Sequence, residues 1–331
     1  MTEPDNTETH SDGANDKTAS DVNRRRVLQG IGAAGVAGAV GTGSAQAGIQ
    51  SDANYSSHTN DTEITTSNQF WTYFENSDLS VSELIYESAD AGYDAVEPFM
   101  LDDEDAIAEA LDDTGLELAS AHQGLYDTLD DPEGVADTYL QFGEPALIEA
   151  YINGDTWSTE ESVLELAHDV NTAADEMADH GLEFGYHNHD HEFVQIEDGD
   201  EIAYDIFAEE VEDHVHLQID AGWVLAGGED PIDYIIEYPQ KVKSIHMKNM
   251  LVDDDGHDFA EVDEGDVNMR AVATAARNAA DVDLLVYEYD AAPEPIESMN
   301  IGAEWMNRLN HPYSPGGIPS IEGAEYHPAK L

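Results

Sequence analysis

Cysteine is absent from the 331 residues, and basic residues are scarce: Lys and Arg together number 11, against 73 Asp and Glu. The lack of cysteine excludes disulfides, thiolate metal sites, a cysteine nucleophile and a cysteine-linked lipid anchor. The scarcity of Lys and Arg argues against nucleic acid as a partner, because these side chains displace counterions from phosphates.

The acidic excess gives a formal net charge of −62, and the acids are spread along the chain. Such a charge destabilises a compact state in dilute buffer through self-repulsion. Screening relieves this, since the Debye length falls to about 3 Å at 1 M salt. A disordered acidic chain is the alternative, but four Trp, 15 Tyr and eight Phe favour a folded domain. The composition therefore predicts a salt-adapted, halophilic surface.

We expect the mature protein to lose structure at low salt, because its carboxylates then repel one another unscreened. Circular dichroism at about 0.1 M and about 3 M salt measures this. An identical spectrum at both concentrations would contradict the prediction.

The N-terminal segment has the composition of an export signal. Three arginines at 24–26 precede Val27, Leu28 and an apolar Gly/Ala-rich run to about Val40, and a small-x-small site follows at 45–47. This order is typical of a signal peptide, and the arginine pair resembles the twin-arginine consensus. The apolar run is too short for a membrane span, which needs about 20 apolar residues. We predict export by the twin-arginine machinery to the cell surface or outside; a retained N-terminal anchor is the alternative.

The chain divides into four predicted parts, namely a signal peptide over 1–47, a polar linker over 48–66, one domain over 67–310 and a tail over 311–331. Apolar segments alternate with amphipathic helical patterns, of which the clearest lies within 163–177. The predicted strands are Asn68–Tyr73, Ala95–Phe99, Leu116–Ala121, Ala146–Ile152, Glu183–His189, Val215–Asp220, Val242–Lys248 and Leu284–Tyr289.

Strand–helix alternation implies parallel βαβ units. Eight such units over about 245 residues match a single (β/α)8 TIM barrel, which usually has about 250. A doubly wound sheet is the alternative fold. No Gly-rich phosphate loop follows the first predicted strand, which counts against a dinucleotide-binding version.

Four consecutive predicted strands carry His or an acid at their C-terminal ends, where TIM barrels place active sites. These residues are His187, Asp220, His246 and Glu288. Two imidazoles and two carboxylates suit one divalent metal ion, namely Mn, Zn, Co, Fe or Mg. A lone acid means little in so acidic a chain, but four at matched positions predict that their side chains surround one point.

Side chains two apart on a strand share a face, which places three further residues beside these ligands: His189, Lys248 and Asp290. The predicted mature part keeps only seven basic residues, Lys241, Lys243, Lys248, Arg270, Arg277, Arg308 and Lys330. In so lysine-poor a chain, a lysine beside the metal indicates a role in stabilising negative charge on a reacting oxygen. A structural ion pair is the alternative.

Several segments carry a family resemblance over about 68–310. They are Tyr186–Phe193, Gln218–Trp223, Ile245–Lys248, Glu264–Val267 and Glu288–Asp290. In order and spacing they resemble the xylose isomerase-like TIM-barrel superfamily, the sugar phosphate isomerases/epimerases. The resemblance implies one metal held by Glu, Asp, His and Glu. Asp220, His246 and Glu288 fall on the last three positions, whereas His187 replaces the usual first glutamate.

The resemblance also implies a reaction. Ketose 3-epimerases of this superfamily use the first and last ligand glutamates as their two acid/base groups, of which only the last is kept here. A single base could still abstract a proton next to a carbonyl, with another side chain handling the second proton. The predicted catalytic residues are Glu288, His189 and Lys248. The predicted substrate contacts are Glu97, His122, Trp223 and Asp290.

The expected function is a metal-dependent sugar isomerase or epimerase. A lyase, dehydratase or hydrolase acting on a keto-sugar or inosose is one alternative, and a non-catalytic exported sugar-binding protein is another. Phosphate sites favour Arg, Lys or helix N-termini, so the scarcity of basic residues makes an uncharged sugar, inositol or keto-glycoside at least as compatible as a sugar phosphate. Endonuclease IV shares the fold but must bind a polyanion, which the charge opposes. Oligomerisation is left open.

Overall fold

The computed structural model describes residues 64–310, apart from 75, 198, 254–255 and 280–281. The predicted signal peptide, the linker up to residue 63 and the C-terminal tail lie outside the described residues. Within the described part, no helix combines the length and the apolar character that crossing a membrane requires.

Strands and helices alternate along the described chain. The strands are β1 (Thr65–Gln69), β2 (Ala95–Glu97), β3 (Glu117–Leu118), β4 (Ser120–His122), β5 (Ala146–Glu149), β6 (Glu183–His187), β7 (His216–Asp220), β8 (Val242–Met247), β9 (Asn249–Asp253), β10 (Gly256–Ala260) and β11 (Leu284–Tyr287). The helices are α1 (Trp71–Phe74), α2 (Val81–Ala91), α3 (Glu104–Thr114), α4 (Leu125–Asp130), α5 (Pro132–Tyr139), α6 (Glu160–Asp179), α7 (Ala203–Glu210), α8 (Ala221–Ala226), α9 (Pro231–Glu237), α10 (Met269–Ala279) and α11 (Pro295–Asn310).

Nine parallel strands form one sheet in the order β3-β2-β1-β11-β8-β7-β6-β5-β4. Its two end strands, β3 and β4, are separated in sequence only by Ala119. The Ala119 N–H donates to the Val96 carbonyl in β2 (3.3 Å), and its own carbonyl accepts from the Ala146 N–H in β5 (3.0 Å). β3 and β4 are therefore two halves of the third barrel strand, and the sheet closes through them. The predicted TIM barrel is confirmed.

The first strand lies earlier than predicted. β1 covers Thr65–Gln69, and the last three residues of the predicted strand, 71–73, lie in the helix Trp71–Phe74. The last two residues of the predicted linker, Thr65 and Thr66, therefore belong to β1, since β-branched threonine fits a half-buried strand well. The Tyr73 hydroxyl donates to Asn68 Oδ1 (2.8 Å) and ties the helical turn back to the strand.

Local sequence signals fix the helix ends. At α2, the Ser80 hydroxyl accepts from the Glu83 N–H, and the Glu83 carboxylate accepts from the Ser80 N–H (2.9 Å), which makes a capping box. Gly92 ends the helix with φ 98°, a conformation that favours glycine. On α6, the predicted apolar stripe from Val163 to Met177 is buried against the barrel.

A polar layer lies at the amino-terminal end of the barrel, away from the predicted site. His216 of β7 lies 3.1 Å from Glu183 Oε2 and 2.7 Å from Ser244 Oγ, while Lys243 Nζ lies 2.7 Å from Glu183 Oε1. Ser244 is fully buried, so these contacts tie three neighbouring strands together. In TIM barrels this end serves stability.

Candidate metal and active site

Four side chains meet where β6, β7, β8 and β11 end, and we call them the ligand cluster: His187, Asp220, His246 and Glu288. Each offers one ligand atom, and these atoms all lie within 4.8 Å of one another. None of the four residues is more than 4% exposed. Asp220 Oδ2 is 3.7 Å from His187 Nε2 and 3.8 Å from His246 Nδ1. Ligand bonds of about 2.1 Å place neighbouring ligands roughly 3–3.5 Å apart, so a small inward movement would surround one ion.

Asp220 gives a further sign that the cluster fits a cation. Its Oδ1 accepts from the Trp223 N–H (2.9 Å) at the start of α8, and its own N–H donates to Asn188 Oδ1 (3.0 Å). Its buried Oδ2 has no well-aligned hydrogen-bond partner among the described residues, although the Lys248 ammonium lies 3.2 Å away. A buried carboxylate oxygen without a well-aligned donor is costly. Together with two imidazoles and a second carboxylate, this oxygen suits a divalent metal.

Lys248 lies beside the ligand cluster, as the sequence predicted, and is 1% exposed. Its Nζ is 3.2 Å from Asp220 Oδ2, 2.9 Å from Glu288 Oε2 and 3.0 Å from Asp290 Oδ1. Burial lowers the pKa of Lys248, but the three carboxylates outweigh it and the net shift is upward. Burial and the charge of Glu288 raise the pKa of Asp290 to about 8, although Lys248 opposes them. Lys248 therefore contacts two of the predicted metal ligands and also an acidic side chain outside the ligand cluster, so the structure is compatible with both roles considered from the sequence.

His189 and Trp223 offer two polar atoms without partners beside the ligand cluster. The His189 ring lies 5.4 Å from the Tyr151 ring and 5.3 Å from the Trp223 ring. Burial and Lys248 lower the pKa of His189 to about 3, so the imidazole is neutral. Its Nδ1 and the Trp223 Nε1 have no hydrogen-bond partner among the described residues. Both atoms can therefore contact a substrate.

Glu97 and His122 lie against the opposite side of His246. Glu97 is fully buried, and its Oε1 is 2.8 Å from His246 Nε2 and 3.2 Å from His122 Nε2. The His122 ring stacks on His246 at 6.2 Å. Burial raises the pKa of Glu97, but His246 and His122 outweigh it and hold the pKa well below its usual value. The substrate contact predicted for Glu97 stays a prediction. The position of Glu97 favours an indirect role, in which it acts on the histidines that it contacts.

Sequence reasoning missed two features of the site. Gln218 contacts both Glu97 (2.7 Å) and His187 (3.0 Å); its place two residues before Asp220, on the same strand face, was the available signal. The antiparallel hairpin of β9 and β10 packs His257 and Phe259 against the Trp223 ring, at 5.1 and 5.5 Å. The hairpin follows directly after Lys248, and its short apolar run Met250–Val252 was the available signal.

Residues 85–309 match the family described as xylose isomerase-like TIM barrel, and the chain belongs to that family. Solved structures with the same fold include a sugar phosphate isomerase/epimerase from Parabacteroides distasonis, with 17% identity and a TM-score of 0.62 over 74% of this chain and 93% of that one. A zinc-bound IolI protein has 15% identity and a TM-score of 0.59 over 76% of this chain and 100% of that one. A D-allulose 3-epimerase from Methylomonas sp., in complex with D-allulose, has 15% identity and a TM-score of 0.54 over 75% of this chain and 97% of that one. No curated protein matches the sequence.

Metal affinity should rise with pH. His246 lies between two carboxylates, with Nδ1 2.7 Å from Glu288 and Nε2 2.8 Å from Glu97. Burial lowers the pKa of His246, but Glu97 and Glu288 raise it to about 10 overall. Below that pH a metal must displace the Nδ1 proton, so affinity should increase about tenfold per pH unit. Calorimetric titration of metal-free protein between about pH 6 and 9, in buffers of different ionisation enthalpy, measures the released proton. A pH-independent affinity would contradict the assignment.

Proposed function

We propose that this protein is a metal-dependent isomerase or epimerase that abstracts a proton next to a carbonyl of an uncharged sugar or sugar-like substrate. The observation that carries the proposal is the buried ligand cluster with the Lys248 ammonium 2.9 Å from Glu288 Oε2. Membership of the xylose isomerase-like family supports it. The D-allulose complex of a protein with the same fold supports a sugar as the substrate class.

The ligand cluster would hold the metal, which supplies Lewis-acid polarisation of a carbonyl when bound. Glu288 is the candidate base. Burial raises the pKa of its carboxyl, but Lys248 and His246 outweigh this and hold the pKa well below its usual value. Glu288 is therefore ionised at neutral pH and can accept the proton from the carbon next to the carbonyl.

Lys248 and Asp290 suit the later proton steps. The Lys248 ammonium can donate a hydrogen bond to the oxygen on which negative charge develops. Asp290, with its pKa raised to about 8, carries a proton at neutral pH that it can return to carbon or oxygen. His189 is neutral, and its partnerless Nδ1 can orient a hydroxyl group of the substrate.

A dehydratase or other lyase is the second candidate function, and Asp290 is the observation that favours it. A carboxylic acid that is protonated at neutral pH can protonate a departing hydroxyl group. Both candidate reactions begin with the same proton abstraction by Glu288, so they differ only in where the second proton goes.

Reaction of the metal-loaded mature protein with matched keto-sugars, inososes and keto-glycosides in D2O tests the proposal. Proton NMR should show deuterium entering at the carbon next to the carbonyl, together with an isomer or epimer. An unsaturated product would assign the lyase instead. Binding with neither deuterium exchange nor a new product for any substrate would leave a sugar-binding protein and overturn both enzymatic candidates.

The charge of the substrate is tested by pairing each sugar with its phosphate ester. Residues that commonly hold phosphate, Lys and Arg, are scarce in this chain. The uncharged member of each pair should therefore give the higher kcat/KM. A consistent preference for the phosphate ester would contradict this part of the proposal.

A further inference from the structure

We propose that Glu97 is a positioning residue that fixes which nitrogen of each cluster histidine carries the proton. It acts directly on His246, and on His187 through the amide of Gln218. The lone pairs of both imidazoles are thereby left pointing into the ligand cluster. This inference rests on the proposed metal site for its purpose, but the proton position on His187 can be measured without a metal.

The contact with His246 is direct. Glu97 Oε1 lies 2.8 Å from His246 Nε2. An ionised carboxylate can only accept hydrogen bonds, so Nε2 must carry a proton. In the neutral imidazole the lone pair is then on Nδ1, the nitrogen that lies 3.8 Å from Asp220 Oδ2 within the ligand cluster.

The contact with His187 is relayed by Gln218. Its Nε2 donates to Glu97 Oε2 at 2.7 Å, and its Oε1 lies 3.0 Å from His187 Nδ1. The amide cannot be reversed without turning its oxygen toward the carboxylate. Because Oε1 can only accept, Nδ1 of His187 must be the protonated nitrogen. The lone pair is therefore on Nε2, 3.7 Å from Asp220 Oδ2.

Further donors keep Glu97 in the ionised form that this arrangement needs. The Gln69 amide donates to Oε1 at 3.0 Å, and the Ser120 hydroxyl donates to Oε2. With His246, His122 and Gln218, five side chains surround this fully buried carboxylate. Charge-assisted hydrogen bonds of this kind stabilise the anion. These five side chains occupy the surroundings of the carboxylate. A positioning role for Glu97 therefore differs from the direct substrate contact that the sequence predicted.

The decisive variant is Glu97→Gln, which keeps the volume but replaces one acceptor oxygen by a donor NH2. That NH2 must face either His246 or Gln218, so one of the two histidines loses its partner. Metal affinity should fall about 10–100-fold, as for other residues that orient metal ligands. Calorimetry with Zn2+ measures this, and circular dichroism checks the fold.

Nitrogen-15 NMR reads the proton positions themselves. In zinc-loaded wild-type protein, the protonated ring nitrogens should be Nε2 of His246 and Nδ1 of His187, and Glu97→Gln should alter at least one of them. The His187 signals are also measured in metal-free protein, where Gln218 Oε1 lies 3.0 Å from its Nδ1. A proton on Nε2 of His187 would overturn the inference even if no metal bound.

Gln218→Met separates the direct contact with His246 from the relayed contact with His187. It also provides a test if Glu97→Gln does not fold. It removes the relay and keeps the contact between Glu97 and His246, so only the His187 signals should change and zinc affinity should fall by a smaller factor. An unchanged His187 tautomer would contradict the relay.

The matched control is Glu149→Gln. Glu149 is a buried carboxylate at the end of β5, but it accepts from the backbone N–H groups of Leu125 (2.6 Å) and Tyr151 (2.9 Å). Its replacement should leave zinc affinity and both histidine signals unchanged. Zinc affinity that falls equally in Glu97→Gln and Glu149→Gln would reduce Glu97 to a structural residue. A wild type that binds no zinc, with His187 protonated on Nδ1, would reject the metal site and retain the positioning.

Discussion

Glu288→Gln should abolish tight metal binding and lower turnover at least about 10³-fold. The glutamine keeps the size of the side chain but removes a negative charge from the ligand cluster. It also removes the candidate base, and general-base catalysis alone contributes about 10²–10⁴-fold. Both losses act on the same step, because the metal polarises the carbonyl next to which Glu288 would take the proton. Metal analysis after dialysis and initial rates at saturating metal measure the two effects separately.

Asp290→Asn provides the matched control for Glu288→Gln. Both residues follow β11 and both contact Lys248, at 2.9 and 3.0 Å, but Asp290 contributes no atom to the ligand cluster. We expect the Asp290→Asn variant to retain one bound metal ion. Glu288→Gln with one tightly bound ion and near-normal turnover would remove Glu288 from both roles.

The positions of the ligand cluster follow from the sequence for a simple geometric reason. Parallel strands of a closed barrel present their C-terminal ends on one rim, and side chains two apart on a strand share a face. Residues that end consecutive strands, such as Asp220 and His246, therefore become neighbours once the strands are correctly located. Their β7–β8 register pairs them directly.

The surroundings of Glu97 do not follow in the same way. Glu97 contacts His246 and Gln218 across sequence separations of 149 and 121 residues. These contacts depend on how far each side chain reaches across the barrel interior, which strand order and periodicity leave undetermined. The divided third strand at Ala119 and the hairpin against Trp223 were missed for a related reason, because both depend on how distant segments pack.

Lys248→Met should lower the turnover of the metal-saturated protein about 10²–10³-fold, the usual effect of removing one donor to a developing oxyanion. The structure adds a second expectation, since the ammonium lies between Asp220, Glu288 and Asp290. Removing one partner of a buried ion pair costs about 3–5 kcal/mol. A bound metal neutralises Asp220 and Glu288, and Asp290 carries a proton at neutral pH, so the loss of thermal stability should be larger without metal than with it.

Lys243→Met controls for the general cost of removing a lysine from so acidic a protein. Lys243 belongs to β8, the strand that leads to Lys248, but lies at the opposite end of the barrel and pairs with the half-exposed Glu183 at 2.7 Å. Such partly exposed pairs contribute about 0–1 kcal/mol, so metal content and turnover should stay near wild type. The difference in turnover between Lys248→Met and Lys243→Met measures the effect of the positive charge at the reacting centre. If metal-loaded Lys248→Met turns over as fast as Lys243→Met, the lysine only holds the carboxylates together, and the oxyanion must be stabilised by the metal alone.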